Sequence, residues 1–208
     1  MVDFHKLVNK KKHIDTNNLL LLFESLDRKA SHIDLRLAQQ DALKMLSDLR
    51  ATRDLVLKMS TGSGKTTVAL VYLFSFMEES KQPVVYLCPT TQLADQVRSE
   101  AHNLGINAVL YTSGQTHPDV DGIRGKAIIV CTYDKLFNAK TTFDRSDVLL
   151  RPVAIVLDDA HAGVEKIRDA FTLHVPEGEL YTELLGILDD ACSQLNPSVS
   201  MVYNFVSS

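Results

Sequence analysis

With few cysteines, no excess of basic charge and only short apolar runs near its start, this 208-residue chain gives no support to several classes of function. The three cysteines, Cys88, Cys131 and Cys192, show no ligand-like spacing, so neither a disulfide framework nor a zinc site is indicated. Cys88 and Cys131 lie in apolar, strand-like runs, where buried reduced thiols are expected, and this points to a cytoplasmic compartment without telling a bacterial-type cytosol from a nucleus. The apolar run Leu19 to Phe23 is too short for the core of a signal peptide or for a membrane span, so no membrane partner is expected. The net charge is −4, with the basic excess in residues 1–60 and the acidic excess in residues 140–208. No overall basic field exists to draw in nucleic acid, and any such contact must come from a local surface. His5, His13, His32, His102, His117 and His174 share no ligand spacing with the cysteines. There is no internal repeat and no low-complexity segment. The composition, 45% hydrophobic and 23% charged, is that of an ordinary globular domain long enough to bury a core.

What the chain does carry is Met59-Ser60-Thr61-Gly62-Ser63-Gly64-Lys65-Thr66-Thr67. A strand is expected over 54–59, from Leu55-Val56-Leu57, and a helix over 65–79. Strand, Gly-rich loop, Lys-Thr and helix form the order of a phosphate-binding loop. Gly62 and Gly64 permit backbone angles closed to other residues, so main-chain N–H groups can approach a phosphate. The helix that follows starts with unpaired N–H groups and a partial positive charge, which favour an anion. Lys65 can reach outer phosphates and the Thr66 hydroxyl can hold Mg²⁺. The pattern departs at its first place, where Met59 stands instead of glycine.

Around this loop, α and β patterns alternate. Residues 1–18, with Lys10-Lys11-Lys12, read as a polar arm. Helices are expected over 17–29, over 35–50 with Asp34 as the cap, over 91–104, 163–172 and 179–194. Strands are expected over 84–88, 107–111, 127–131, 153–157 and 199–206, with a loop or short hairpin over 112–124. The strands are near-continuous apolar runs, which suits a mostly parallel sheet covered by helices on both faces, a three-layer α/β architecture. Val153 to Leu157 ends at Asp158, a carboxylate at the C-terminal end of a parallel strand, where α/β folds bind ligands. Asp158 is therefore placed to hold Mg²⁺ against phosphates bound near Lys65.

Leu157-Asp158-Asp159-Ala160-His161, taken with Ser60 to Thr66, resembles motif II and the P-loop of DEAD/DEAH-type superfamily 2 helicases and translocases. Leu35-Arg36-Leu37-Ala38-Gln39 resembles the segment before the P-loop in that family, and Cys88-Pro89-Thr90-Thr91-Gln92 its motif Ia. Val130-Cys131-Thr132-Tyr133-Asp134-Lys135-Leu136 is similar to its Thr-Tyr-x-x-Leu segment, and Thr112-Ser113-Gly114 falls where a Thr-x-Gly segment lies. The resemblance spans residues 35–161. It implies a P-loop NTPase fold of the RecA-like type, the first motor lobe of a helicase, with ATP and Mg²⁺ as cofactors and DNA or RNA as partner. It implies ATP contacts from Gln39 (the adenine edge), Thr61, Gly62, Ser63, Gly64, Lys65, Thr66 and Thr67, and metal contacts from Thr66 and Asp158. Lys65, Asp158, Asp159 and His161 become the catalytic candidates, and Pro89, Thr90, Gly114, Thr132 and Tyr133 the nucleic-acid candidates. Hydroxyls and N–H groups on the rim of a sheet can bond phosphate oxygens without reading bases.

Asp159 stands where the family has Glu, the residue that positions the attacking water. Asp is shorter by one C–C bond, ~1.5 Å, and a misplacement on that scale costs on the order of 10²-fold in rate. Nothing after His161 resembles the family's Ser-Ala-Thr segment or its arginine-rich motif. The expected organisation is an arm and helix over 1–34 and a RecA-like lobe over 35–208, with 162–196 as a helical insertion. The partner second lobe is expected outside this chain. Two alternatives stay open at this point: a non-catalytic nucleotide-binding scaffold or sensor, and a P-loop ATPase that does not act on nucleic acid.

Overall fold

The computed structural model describes residues 15–29, 34–138, 141–143, 150–172 and 178–193. The Lys10–Lys12 segment of the polar arm and the strand expected over 199–206 lie outside the described residues. The chain divides into two units, residues 1–170 and 171–208.

The first unit is built on a parallel sheet of β1 (Val84–Cys88), β2 (Ala108–Tyr111), β3 (Ile128–Thr132) and β4 (Ala154–Leu157), in the order β2-β3-β1-β4. These are the four expected apolar runs, β1 at its expected bounds and the other three trimmed or shifted by a residue. β1 and β3 are buried along their whole length, because helices cover both faces of the sheet. Val84, Tyr86, Cys88, Ile128 and Val130 face one core, and Val85, Leu87, Ile129 and Cys131 face the other. The first core is closed by α1 (Leu19–Ser25), α2 (Leu37–Asp48), α3 (Lys65–Ser80) and α4 (Thr91–Asn103), through residues such as Leu22, Leu43, Leu70 and Val97. The opposite face carries the one-turn helices α5 (Val120–Ile123) and α6 (Tyr133–Leu136) and then α7 (Ala160–Ala170), which packs through Ile167. α5 falls in the region expected to be loop or hairpin. The second unit contains α8 (Glu179–Ser193).

Two expectations need correction. No strand forms over 54–59. Leu55 and Met59 pack on the first core, but Val56 is 97% exposed. A strand exists only with a ladder partner, and residues 55–59 have none among the described residues. Asp34 does not cap α2. The N-cap is Arg36, whose backbone N–H donates to Gln39 Oε1 at 2.8 Å.

Since all four strands run parallel, their C-terminal ends lie on one rim. The register Cys88↔Thr132, Leu87↔Leu157 and Tyr111↔Cys131 lines up Thr112, Thr132, Pro89 and Asp158 along it.

Candidate nucleotide site and strand-end rim

The phosphate loop is a tight turn leading into α3. Ser63 donates to Ser60 O through its N–H (3.2 Å) and through its hydroxyl (2.6 Å). Gly62 and Gly64 have φ of 75° and 82°, the left-handed region that L side chains rarely enter. Gly64 is the N-cap of α3 and provides no side-chain cap. The N–H groups of the first turn are thus left for another acceptor, as an anion-binding helix start requires. Lys65 is exposed beside them and Thr66 is half-buried.

The start of α2 holds this loop in place. Gln39 is 6% exposed. Its Nε2 donates to Gly64 O at 3.2 Å while its Oε1 accepts from Arg36 N–H. The Arg36 guanidinium donates to Gly62 O at 2.6 Å. A Cβ on Gly64 would lie 2.1 Å from Gln39 Nε2. Gln39 thus serves the loop itself, with one Nε2 hydrogen left for a ligand. Thr61 is exposed. Thr67 is buried, and its hydroxyl donates to Glu100 Oε1 on α4 at 2.9 Å, so its side chain belongs to helix packing.

Asp158 extends the β4 ladder by one residue, its N–H donating to Leu87 O at 3.0 Å. Tyr86 pairs with Val156 in the sheet, and Asp158 follows on the same side of the chain two residues later. The Tyr86 side chain lies close enough to those of Thr66 and Asp158 to interact with both. Burial, then the charge of Asp158, pushes Tyr86 far above the ordinary phenol range, so the hydroxyl stays a neutral donor. Thr66 and Asp158 are therefore within reach of one tyrosine side chain. A hydroxyl and a carboxylate are hard oxygen donors that suit Mg²⁺, which keeps several waters and takes its other ligands from phosphate. No cluster of three or more His, Cys, Asp or Glu exists among the described residues, so a metal held by protein side chains alone is not built here.

Asp159 and Lys81 are the non-glycine residues with positive φ among those described, Asp159 at 49°. Asp tolerates this region because its short polar chain bonds locally. Here Oδ1 accepts from Ala162 N–H at 3.4 Å and the carbonyl accepts from Gly163 N–H at 3.0 Å, which closes the first turn of α7. The Asp159 N–H in turn donates to Asp158 Oδ1 at 3.1 Å. His161 is exposed on that first turn.

Along the rim, Pro89 is half-buried and Thr90 is exposed, its hydroxyl oxygen capping α4 by accepting from Leu93 N–H at 3.2 Å. Gly114 is exposed with φ of 89°. Lys135 Nζ donates to Gln115 O at 2.7 Å and sits over the Tyr111 ring, which joins the 112–116 loop to α6. Thr132 and Tyr133 are 6% and 1% exposed. Their side chains do not present the polar surface expected of them. Tyr133 turns inward instead: its hydroxyl donates to Asp158 O at 2.9 Å.

Sequence reasoning left out Arg36, Tyr86, Glu100 and Lys135. Tyr86 carried a signal, since a phenol in the middle of a buried apolar strand needs a hydrogen-bond partner. A cavity of about 600 Å³ lies between α4 and the start of β2, lined by Arg98, His102, Asn107 and Asp121 among others, and includes none of the residues above.

Residues 36–177 match the family described as DEAD/DEAH box helicase. Over 142 residues the chain is 25% identical to the type I restriction enzyme EcoKI endonuclease subunit of Escherichia coli (strain K12), a match covering 64% of this chain and 12% of that protein. The chain thus spans a small part of the relative's length.

Proposed function

Because the chain belongs to the DEAD/DEAH box helicase family, we propose that it is the ATP-binding and ATP-hydrolysing motor lobe of a nucleic-acid helicase or translocase, working against a second RecA-like lobe. The observation that carries this reading is the placement of Asp158 at the C-terminal end of β4, its N–H paired to Leu87 O of β1, on the rim served by a loop whose first-turn N–H groups have no side-chain cap. Those N–H groups and Lys65 bind the phosphates, with Gln39 and Arg36 keeping the loop in its left-handed turn. Thr66 and Asp158 hold Mg²⁺, which neutralises charge developing on the transferred phosphoryl group. Asp159 orients water from the start of α7, and His161 faces the second lobe. Thr90 and the Gly114 loop supply the exposed nucleic-acid contacts, while Pro89, Thr132 and Tyr133 shape the rim beneath them. The similarity to a restriction endonuclease subunit makes DNA the strand to test first.

The decisive experiment follows a fluorescent ATP analogue and nucleic-acid-stimulated hydrolysis in the chain combined with its second lobe, for wild type and Lys65→Ala. Binding, DNA-stimulated turnover and loss of turnover in the variant are expected. Turnover indifferent to nucleic acid favours a P-loop ATPase of another kind. One observation favours a second reading, a nucleotide-binding scaffold without turnover: the Asp159 carboxylate is engaged by the Ala162 N–H. ATP binding with no hydrolysis in the two-lobe assembly would establish it.

A further inference from the structure

Tyr133 makes contacts that a surface residue would not make. It is the first residue of α6, immediately after β3, and its side chain is buried. The hydroxyl donates to the carbonyl of Asp158 at 2.9 Å. The ring lies on Gly163: a Cβ there would fall 2.5 Å from Tyr133 Cζ and from its hydroxyl oxygen. Gly163 is helical and buried, a position where glycine weakens a helix by about 1 kcal/mol relative to alanine. The close approach of the ring explains why glycine stands there. Gly163 N–H donates to Asp159 O, so Tyr133 touches both ends of the Asp158–Gly163 turn. Two residues after Tyr133, Lys135 holds Gln115 O in the exposed loop that carries Gly114. A continuous set of contacts therefore runs from that loop through α6 to the carbonyl of Asp158.

We propose that Tyr133 is the positioning residue of the Asp158 turn, setting where that carboxylate stands for Mg²⁺ and tying it to the Gly114 loop. This rests on the nucleotide reading above. Tyr133→Phe keeps the ring on Gly163 and removes only the bond to Asp158 O. Gly163→Ala keeps the hydroxyl and drives the ring away. Each fixes a different half of the contact.

The test measures binding of a fluorescent ADP analogue to the 208-residue chain as Mg²⁺ is varied, with and without a single-stranded DNA oligonucleotide. Tyr133→Phe should leave Mg²⁺-free nucleotide affinity within about twofold of wild type. It should raise the Mg²⁺ concentration at half-effect on the order of fivefold, the factor that follows from losing one ordinary hydrogen bond. Gly163→Ala should act in the same direction. Any change in Mg²⁺-nucleotide affinity caused by the oligonucleotide should shrink in both variants, since coupling between two sites is a free energy that a linking residue carries. Tyr111→Phe is the control for the Mg²⁺ midpoint: another buried tyrosine on the same face, its hydroxyl bonded to Thr142 at 2.8 Å and to Thr116 O in the Gly114 loop at 3.3 Å but not to the Asp158 turn, so its loss should not move the midpoint. An unchanged midpoint in both Tyr133→Phe and Gly163→Ala overturns the proposal. An equal shift in Tyr111→Phe also overturns it, because the effect would then be general loosening. A wild-type chain that binds no nucleotide defeats the underlying reading, and the inference falls with it.

Discussion

Asp159→Asn separates the two roles that meet at Asp159. The residue holds φ of 49° and its Oδ1 accepts from Ala162 N–H. Asn tolerates the left-handed region as Asp does and caps helix starts about equally well. The substitution therefore keeps the local fold and removes the charge and the ability to take a proton. General-base assistance contributes typically ~10²–10⁴-fold. If Asp159 orients and deprotonates water, Asp159→Asn should lower turnover by at least about 10²-fold, with nucleotide affinity within about twofold and a melting temperature within about 2 °C of wild type.

Asp159→Ala and Asp159→Glu complete the series. Alanine loses the cap, costing about 1 kcal/mol, which for a domain of this size is roughly 2–4 °C in melting temperature. Glutamate is a weaker occupant of both the left-handed region and the cap, and its carboxylate reaches ~1.5 Å further. It should therefore lose stability like alanine. Whether it keeps turnover reports where the water stands. The assay is hydrolysis in the assembly with the second lobe, read beside thermal melting with and without Mg²⁺ and ADP. Asp159→Asn turning over at the wild-type rate would sink the catalytic role and leave Asp159 as a helix cap.

Gly64→Ala should abolish nucleotide binding and lower the melting temperature, because the new Cβ meets Gln39 Nε2 at 2.1 Å on a backbone held at φ of 82°. Retained binding would show that the loop is not held as described. Tyr86→Phe should weaken Mg²⁺-dependent nucleotide binding several-fold and leave Mg²⁺-free binding alone, since it removes the hydroxyl that interacts with Thr66 and Asp158. Equal losses with and without Mg²⁺ would refute that. Burial pushes the Cys88 and Cys131 thiols up to about 12, with Asp158 adding to the shift at Cys88 and Cys88 to that at Cys131. Both should resist alkylation at pH 9 in a Cys192→Ser background until the chain is unfolded. Their folded values lie above the ordinary thiol value, so the native state holds the extra protons. Their contribution to stability is complete below about pH 9 and is lost as pH rises towards 12. A melting temperature that climbs over that interval would contradict the sign.

The sheet was legible because its central strands β1 and β3 are buried on both faces, which forces apolar runs that need no partner to be recognised, and the edge strands β2 and β4 keep apolar runs although they are more exposed. Leu55-Val56-Leu57 has the same composition and forms no strand, since composition reports suitability for a ladder while the ladder itself needs a neighbour. The phosphate loop was legible from its glycines for a related reason: positive φ is a local constraint, and Gly62 and Gly64 meet it. Side-chain direction at the strand ends was not legible. Thr132 ends β3 and Tyr133 follows it, much as Thr90 follows β1, but Thr90 caps an exposed helix start, while Tyr133 has a glycine on α7 to lie against. That difference is set by Gly163, thirty positions later in the chain.

The same distant pairing explains how Asp158 is held. Its N–H donates to Leu87 O of β1, its carbonyl accepts from Tyr133 of α6, and its carboxylate accepts from Asp159 N–H and lies near the Tyr86 side chain. The N–H and carbonyl of one residue are thus fixed by two other segments, and both phenols are neutral under ordinary conditions: burial, then Asp158 and Asp159, pushes Tyr133 up to about 12 as well. Such fixing costs nothing further when a cation arrives, because the carboxylate has lost its freedom during folding. Asp159, next in the chain, is exposed, and its contacts are local: the N-terminal turn of α7 and its own N–H to Asp158 Oδ1. On the proposed reading, the Asp158 half of the site is held within this chain, whereas the exposed Asp159 half would be completed by a second lobe. If the proposed reading holds, that asymmetry predicts Mg²⁺-nucleotide binding with slow hydrolysis in the lobe by itself. Titrating the second lobe into the chain should raise turnover far more than nucleotide affinity. A rise in affinity alone would refute this division of the site.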